Sequence, residues 1–577
     1  MSHDDLWSRF KSIWVCDTEY VANPGERPRP VCMVAMEFRT RQVVRIWADE
    51  MLEMKSAPFP TGSDSLFVAY FASAEIGIFI ANGWPLPMYV LDLYAEFRVF
   101  TNGKATPFGR GLIGAMNYFG IESMAVEDKD SNRALIMGGG PWNALERVRI
   151  LDYCQADVDG TAKLLGRMLA VVDLGRAVGL RGRYSKALAC MEWAGVPIDV
   201  ATLERVKAGW VDIQGRLIQE VARVVPVYEG RTFKENLFSS WLAAENVAWP
   251  RLESGRLALD RQTFREMARG HSGVALLHEL RESLSQLRLG GLAVGGDGRN
   301  RLMLSPYGSK TGRNQPSNSK FVFGTATWLR SLIQPSSGRF VAYVDWTSQE
   351  IGIAAKLAND VNLLAAYEED PYLWFAKRVG AVPMDATKKS HKAQRDLYKA
   401  TMLGVGYGMA ETSLSMRIGQ PLAKARSLLI QHRETFPALW RWMQGAVDHA
   451  LLTGRIVARF GWAYHVGADP NPRSLQNWPV QSNASEMMRL AACMLTESGV
   501  VVCCPVHDAF MVEGPVEDVQ AIVERTQAIM AKASGVVLDG FELRSDVKII
   551  MPGERYHDER GQGFFERVVG LLDKTPS

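Results

Sequence analysis

Five oxygen-bearing side chains in the first third of the chain are spaced so that they can act together. Asp17 and Glu19 lie two apart at the end of the apolar run Ile13-Trp14-Val15-Cys16. On a strand both carboxylates leave the same face, a ready bridge between two cations. Glu75 follows a second apolar run, Leu66 to Phe71, while Tyr153 and Asp157, four apart in a helical stretch, share one helix face. Carboxylates without Cys or His suit hard cations such as Mg²⁺ or Mn²⁺. An acid that ends a strand is ordinarily a solvated loop residue, so the ordered set carries the reading. Asp92, in LDLY, competes with Glu75 for a place and reads as structural.

A second constellation occupies the C-terminal half. The strand pattern of RFVAYVD ends at Asp345, and Glu350 opens the helical pattern that follows. CCPVHDAFMVEG reads as strand, tight turn and returning strand, lifting His507 and Asp508 to a hairpin tip, where Asp508 and Asp345 can share a pair of cations. Between them, in QRDLYKATMLGVGYGM, Arg395, Lys399, Leu403 and Tyr407 recur every fourth residue. At 3.6 residues per turn these four span about 120° of one helix face and ~18 Å of its length. The cations stand at one end and the bulky groups at the other, the polarity of a nucleoside triphosphate. Taken alone, such a face is more often a solvated flank beside a core stripe.

These groups need elements to hold them. Residues 12–47 alternate as a β-meander interrupted by NPGERPRP. A strand from Leu66, a helix from Ala74 and a strand at Tyr89 to Leu91 extend it into an α/β domain ending near residue 180. Residues 183–290 are mostly helical, with long periodicities at Ala201 to Val225 and Arg261 to Arg288. Beyond the loop LGGLAVGGDGRNR, strands return at Phe340 to Val344 and Val500 to Cys504 around a helical stretch from about 349 to 452, an α+β domain with a helical insertion.

The 577 residues set a prior of about four compact units, and 47% hydrophobic with 22% charged residues is a globular balance. A net charge of +3 excludes a polyanion-binding argument from charge alone, so any nucleic-acid surface must be local. The seven cysteines form no CxxC pair and read as buried thiols. No stretch of about 18 apolar residues is present, and MSHDDLWSRFKS lacks the pattern of a leader, so the expectation is a cytoplasmic protein with no membrane partner.

In order along the chain, DxE, a later acid and YxxxD resemble the DEDD 3′→5′ exonuclease domains of the ribonuclease H-like superfamily. DxxxxE at a strand–helix junction, RxxxKxxxLGVGYG and VHD resemble motifs A, B and C of family A DNA polymerases, the DNA polymerase I-like group. TGR at 311–313, Arg330 in WLRSLIQP, MEWAGVPID at 191–199 and RSLQNWPVQ extend the match. The resemblance implies α/β and α+β multidomain architecture. It comprises an exonuclease domain at 1–182, a helical thumb at 183–300, palm segments at 301–348 and 453–577, and fingers at 349–452.

By that resemblance Asp345 and Asp508 hold two metals for nucleotidyl transfer, and Asp17, Glu19, Glu75 and Asp157 hold two for proofreading, with Tyr153 positioning water. The metal is Mg²⁺, with Mn²⁺ able to substitute. Arg395 and Lys399 bind the triphosphate, Leu403 and Tyr407 line the base and sugar, and Glu350 obstructs a 2′-hydroxyl. Arg313, Arg330, Arg473, Asn477, Gln481 and His507 contact primer–template DNA. The expected partners are that DNA, deoxynucleoside triphosphates and unspecified replisome proteins, around a monomer.

Three positions depart from the pattern: Leu403 where Phe or Tyr is usual, Ala509 where an acid commonly follows Asp508, and Tyr372 where a phosphate-binding His is frequent. Glu75 also departs, standing where Asp is usual. The exonuclease-like motif begins at residue 17, so the expected layout is Klenow-like without a 5′-nuclease region. SQE and YGM agree with a phage or plasmid type, whose setting would be the cytoplasm of a bacterial host. Two other readings are weighed: an exonuclease whose second half only grips DNA, and a non-catalytic DNA-binding scaffold.

Overall fold

The computed structural model describes residues 8–122, 126–268, 270–286 and 291–573. The first residues of MSHDDLWSRFKS, the start of the Gly-rich loop and the end of the Arg261 to Arg288 pattern lie outside them. The chain divides into two compact units. One comprises Met1–Gly195, Met303–Gln315 and Ala342–Ile549; the other comprises Val196–Leu302, Pro316–Val341 and Ile550–Ser577.

The first unit is built on two sheets. Strands β1 (Ser12–Val21), β2 (Arg29–Glu37), β3 (Val43–Trp47), β4 (Ser65–Ala69) and β5 (Tyr89–Asp92) form a five-stranded sheet in the order β3-β2-β1-β4-β5. The meander β1–β3 is antiparallel, and β4 and β5 run parallel to β1. Alternation along β1 sends Ile13 and Val15 into one core and Trp14 and Cys16 into another, so helices must cover both faces. They are α1 (Ser73–Ala81), α2 (Leu93–Thr101), the long α3 (Ala144–Met168) and α4 (Gly182–Ala194). A capping box at Asn143 and Glu146 starts α3.

The second sheet contains β6 (Arg339–Trp346), β7 (Val501–Val506), β8 (Ala509–Pro515) and β9 (Ser545–Ile550), in the order β7-β8-β6-β9. The helices between β6 and β7 include α5 (Gln349–Ala358), α6 (Pro371–Arg378) and α7 (Lys392–Gly406), packed around Phe375, Tyr398, Leu428 and Phe436. Helix α8 (Pro472–Glu497) follows, almost wholly buried over its second half. The expected strands and the expected helical insertion are therefore present.

The second unit is mainly helical, and here two long periodicities divide. Ala201 to Val225 becomes Val200–Ala208 and Trp210–Ala222, broken at Gly209. A Cβ at Gly209 would collide with Leu572, so the glycine admits the C-terminal helix at the cost of continuity. Arg261 to Arg288 likewise becomes Arg261–Met267 and Ser272–Gln286. Phe238, Trp249 and Phe264 form an aromatic core in this unit. No helix among the described residues is long and apolar enough to cross a membrane.

Candidate functional sites

Asp345 and Asp508 meet because two strand ends are tied together. Asp345 is the penultimate residue of β6, and Asp508 sits in the two-residue turn between β7 and β8, where His507 takes a positive φ of 53°. The N–H of Trp346 donates to the Asp508 carbonyl at 3.1 Å, locking turn to strand. The carboxyls are partly withdrawn from solvent. Burial, and then the neighbouring Asp508, push Asp345 up to about 8, and burial also raises Asp508. Asp345 Oδ1 is buried with no hydrogen-bond partner. A crowded acid pair with an orphaned oxygen fits a divalent cation, which would remove both the repulsion and the unsatisfied acceptor.

The pair opens into a cleft of about 530 Å³ whose far wall is α7. Arg395, Lys399, Leu403 and Tyr407 all line it, so the predicted face points at the two aspartates. Arg395 Nε donates to Asp370 Oδ2 at 2.8 Å, and Lys388 reaches the same oxygen at 3.5 Å. Arg395 and Lys399 stand 5.2 and 5.7 Å from the centre of the Tyr372 ring, which therefore forms an aromatic floor beneath both cations. Ser348 donates to the Tyr372 hydroxyl at 3.5 Å. At the other end Glu350 receives Arg313 at 3.2 Å and lies against the Tyr407 hydroxyl, whose ionisation is pushed up to about 12 by burial and by Glu350.

The remaining predicted contacts divide. Arg473 is exposed at the start of α8, with its stem against Gly408; Asn477 is buried with its Nδ2 unpaired, and Gln481 is half-buried one turn on. Arg330 lies in the second unit, donating to Asp558 Oδ2 at 2.7 Å and to the Phe323 carbonyl at 2.9 Å. Asp370 was not anticipated, although D-P before a helical pattern marks an N-cap; it accepts from Leu373 N–H at 3.0 Å. Asp546, on β9, also faces the cleft and has no local sequence signal.

The five-stranded sheet carries the other set. Asp17 and Glu19 project from β1, and Glu75, on α1, is 4% exposed, with Oε2 unpartnered. Burial, and then Asp17, drive the Glu75 carboxyl well above its ordinary range. On α3 the Tyr153 phenol meets Asp157, and burial followed by Asp157 and Glu19 makes it harder to ionise. The structure thus sets Glu75 near Asp17 and Glu19, and Tyr153 near Asp157, Glu19 and Asp17. It adds Cys154, whose Sγ lies 3.4 Å from Asp17 Oδ2; ligand atoms of Asp17, Glu19 and Cys154 all fall within 4.8 Å of one another. The signal for Cys154 was its place beside Tyr153, one turn before Asp157. Asp92 is consumed structurally, accepting from Phe71, Ala72 and Ala95 N–H groups and from the Ser185 hydroxyl.

Carboxylates ending a strand, opposed by a cationic helix across a cleft, have the charge pattern that a phosphate ester and a divalent cation would complement. Residues 322–551 match the model of DNA polymerase family A. Among its relatives, the thermostable DNA polymerase I of Thermus caldophilus is 25% identical over 388 residues, 60% of this chain and 45% of that protein. The Thermus aquaticus enzyme is 24% identical, and DNA polymerase I of Chloroflexus aurantiacus 23%. The chain spans less than half the length of these relatives. A solved structure of the POL domain of Pol1 from M. smegmatis, in complex with DNA primer-template and dNTP, superposes with a TM-score of 0.72. The identity is 16%, over 95% of this chain and 97% of that one, a likeness of fold.

Proposed function

We propose that the protein is a DNA-directed DNA polymerase with a 3′→5′ exonuclease on its N-terminal sheet. The observation that carries the reading is the cleft in which Asp345 and Asp508 face Arg395 and Lys399. We assign the palm to 301–348 and 453–577, the fingers to 349–452, the thumb to 183–300 and a ribonuclease H-like exonuclease to 1–182. Primer–template DNA and deoxynucleoside triphosphates are the proposed partners.

Asp345 and Asp508 would hold Mg²⁺ or Mn²⁺, which when bound supplies charge neutralisation and activation of an attacking oxygen for in-line phosphoryl transfer. The chain supplies alignment. Arg395 and Lys399 grip the triphosphate by charge-assisted hydrogen bonds, and Tyr372 backs both cations with its ring. Glu350, held between Arg313 and Tyr407, stands at the sugar end and disfavours a 2′-hydroxyl. Arg473, Asn477, Gln481 and His507 hold the duplex without reading its sequence. On the N-terminal sheet, Asp17, Glu19, Glu75 and Asp157 would hold the same type of cation. The Tyr153 phenol, kept protonated against Asp157, orients the water that cleaves the primer terminus.

Extension of a 5′-labelled primer–template in Mg²⁺, with and without the four deoxynucleotides, tests both halves. Elongation with nucleotides and shortening without them is expected. Asp508→Ala should abolish only the first, and Asp17→Ala only the second. Shortening in both lanes would refute the polymerase assignment, and a primer stable without nucleotides would refute the exonuclease.

A further inference from the structure

Ala509 leaves a gap in the charge of the synthetic cleft. It directly follows Asp508, is fully buried and offers no ligand atom. A replacement stands on the neighbouring strand. The N–H of Thr347, just past the end of β6, donates to the carbonyl of Arg544, just before β9 begins, at 2.9 Å. Because β6 and β9 are neighbours in the sheet, this bond requires β9 to run back antiparallel along β6. Two residues inward from it on each strand are Asp345 and Asp546, which the register sets opposite each other on the same face. A further observation agrees: Asp546 lines the same cleft as Asp345 and Asp508.

We propose that Asp546 is a third carboxylate of the divalent-cation site formed by Asp345 and Asp508, supplied across the sheet where Ala509 supplies none. The proposal rests on the polymerase reading of that cleft. An exposed acid on an edge strand is ordinarily a solubility device that discourages strand pairing. That account asks only for an outward charge. Asp546 instead brings a third carboxylate into the cleft of an acid pair whose Asp345 Oδ1 has no hydrogen-bond partner, an arrangement that a bound cation satisfies. As a positioning residue it acts on the cation directly or through a water molecule.

The test uses the full chain carrying Asp17→Ala and Glu19→Ala, which silence the other acidic cluster, bound to primer–template without nucleotide. Mn²⁺ alone is titrated, and the free ion is followed by electron paramagnetic resonance. Asp546→Asn is expected to weaken the site about tenfold, the scale of losing a supporting metal contact, with Asp546→Glu recovering most of that loss. Asp546 is exposed, so the melting temperature should be unchanged. Glu369→Gln, an equally exposed acid of the same cleft, should leave the isotherm close to the parent's.

An Asp546→Asn isotherm that overlays the parent's would overturn the proposal. So would equal weakening by Glu369→Gln, since the effect would then be general electrostatics. Extension by the parent in Mg²⁺ is read separately. Failure there counts against the polymerase reading, while the Mn²⁺ isotherm still decides the role of Asp546.

Discussion

Asp345→Asn should stabilise the cation-free protein while abolishing nucleotide addition. Burial and Asp508 hold the folded carboxyl at about 8, against about 4 in an unfolded chain. The folded state therefore binds this proton more tightly than the unfolded state. The resulting stability is fully present below the unfolded value and is lost as pH rises to about 8. A four-unit difference has a ceiling of about 5 kcal/mol, at ~1.4 kcal/mol per unit. Because the site opens to a cleft, and a buried asparagine amide also pays desolvation, the expected gain is about 1–3 kcal/mol above pH ~8 and nearly nothing at pH ~4.

Urea unfolding of parent and variant in a chelator, at about pH 4, 6 and 8, measures this gap directly. A gap independent of pH, or a variant less stable than the parent at the highest pH, would refute the reasoning. The expected sign is that of a functional site: two acids placed to bind a cation, as proposed, strain the protein when no cation is bound.

Three other perturbations probe the scaffold and the cleft. Glu96 and Arg181 are 3% and 4% exposed and paired by two bonds along one guanidinium edge, Nε to Oε1 and Nη2 to Oε2, the latter at 2.8 Å; Glu96→Ala should cost about 3–5 kcal/mol by chemical denaturation because it strands a buried cation. A Cβ at Gly182 would collide with the Val90 carbonyl, so Gly182→Ala should force α4 off β5 and lower the melting temperature by several degrees, on the scale of about 1–3 kcal/mol. Asp370→Asn keeps the N-cap of α6 but removes the ion pair that aims Arg395. Steady-state kinetics should show KM for deoxynucleotides rising about fivefold with kcat nearly unchanged; an unchanged KM would place Arg395 off the triphosphate.

The local elements around both sites were legible in the sequence because they depend on short-range periodicity. Two-residue spacing put Asp17 and Glu19 on one strand face, and four-residue spacing joined Tyr153 to Asp157 and strung Arg395 to Tyr407 along one helix. The same logic failed at Gly209 and Gly270. There the pattern continues through a break, imposed at Gly209 by the close approach of another helix. Charge type carried the expectation of oxygen-ligand chemistry, since Asp and Glu at strand ends need no fold to reveal their preference for hard cations.

Only the tertiary structure decided which distant residues share a site. Cys154 entered the N-terminal cluster because α3 packs its thiol against Asp17, and Asp546 entered the cleft because antiparallel register set it opposite Asp345. Arg330 is joined to Asp558, a residue more than two hundred positions away. Asp370, which looks like a simple helix cap, also orients the principal cation of the cleft. Contacts between residues hundreds of positions apart leave no periodic trace in one chain. Sequence could therefore name the chemistry and the elements, while sheet order, register and packing chose the partners.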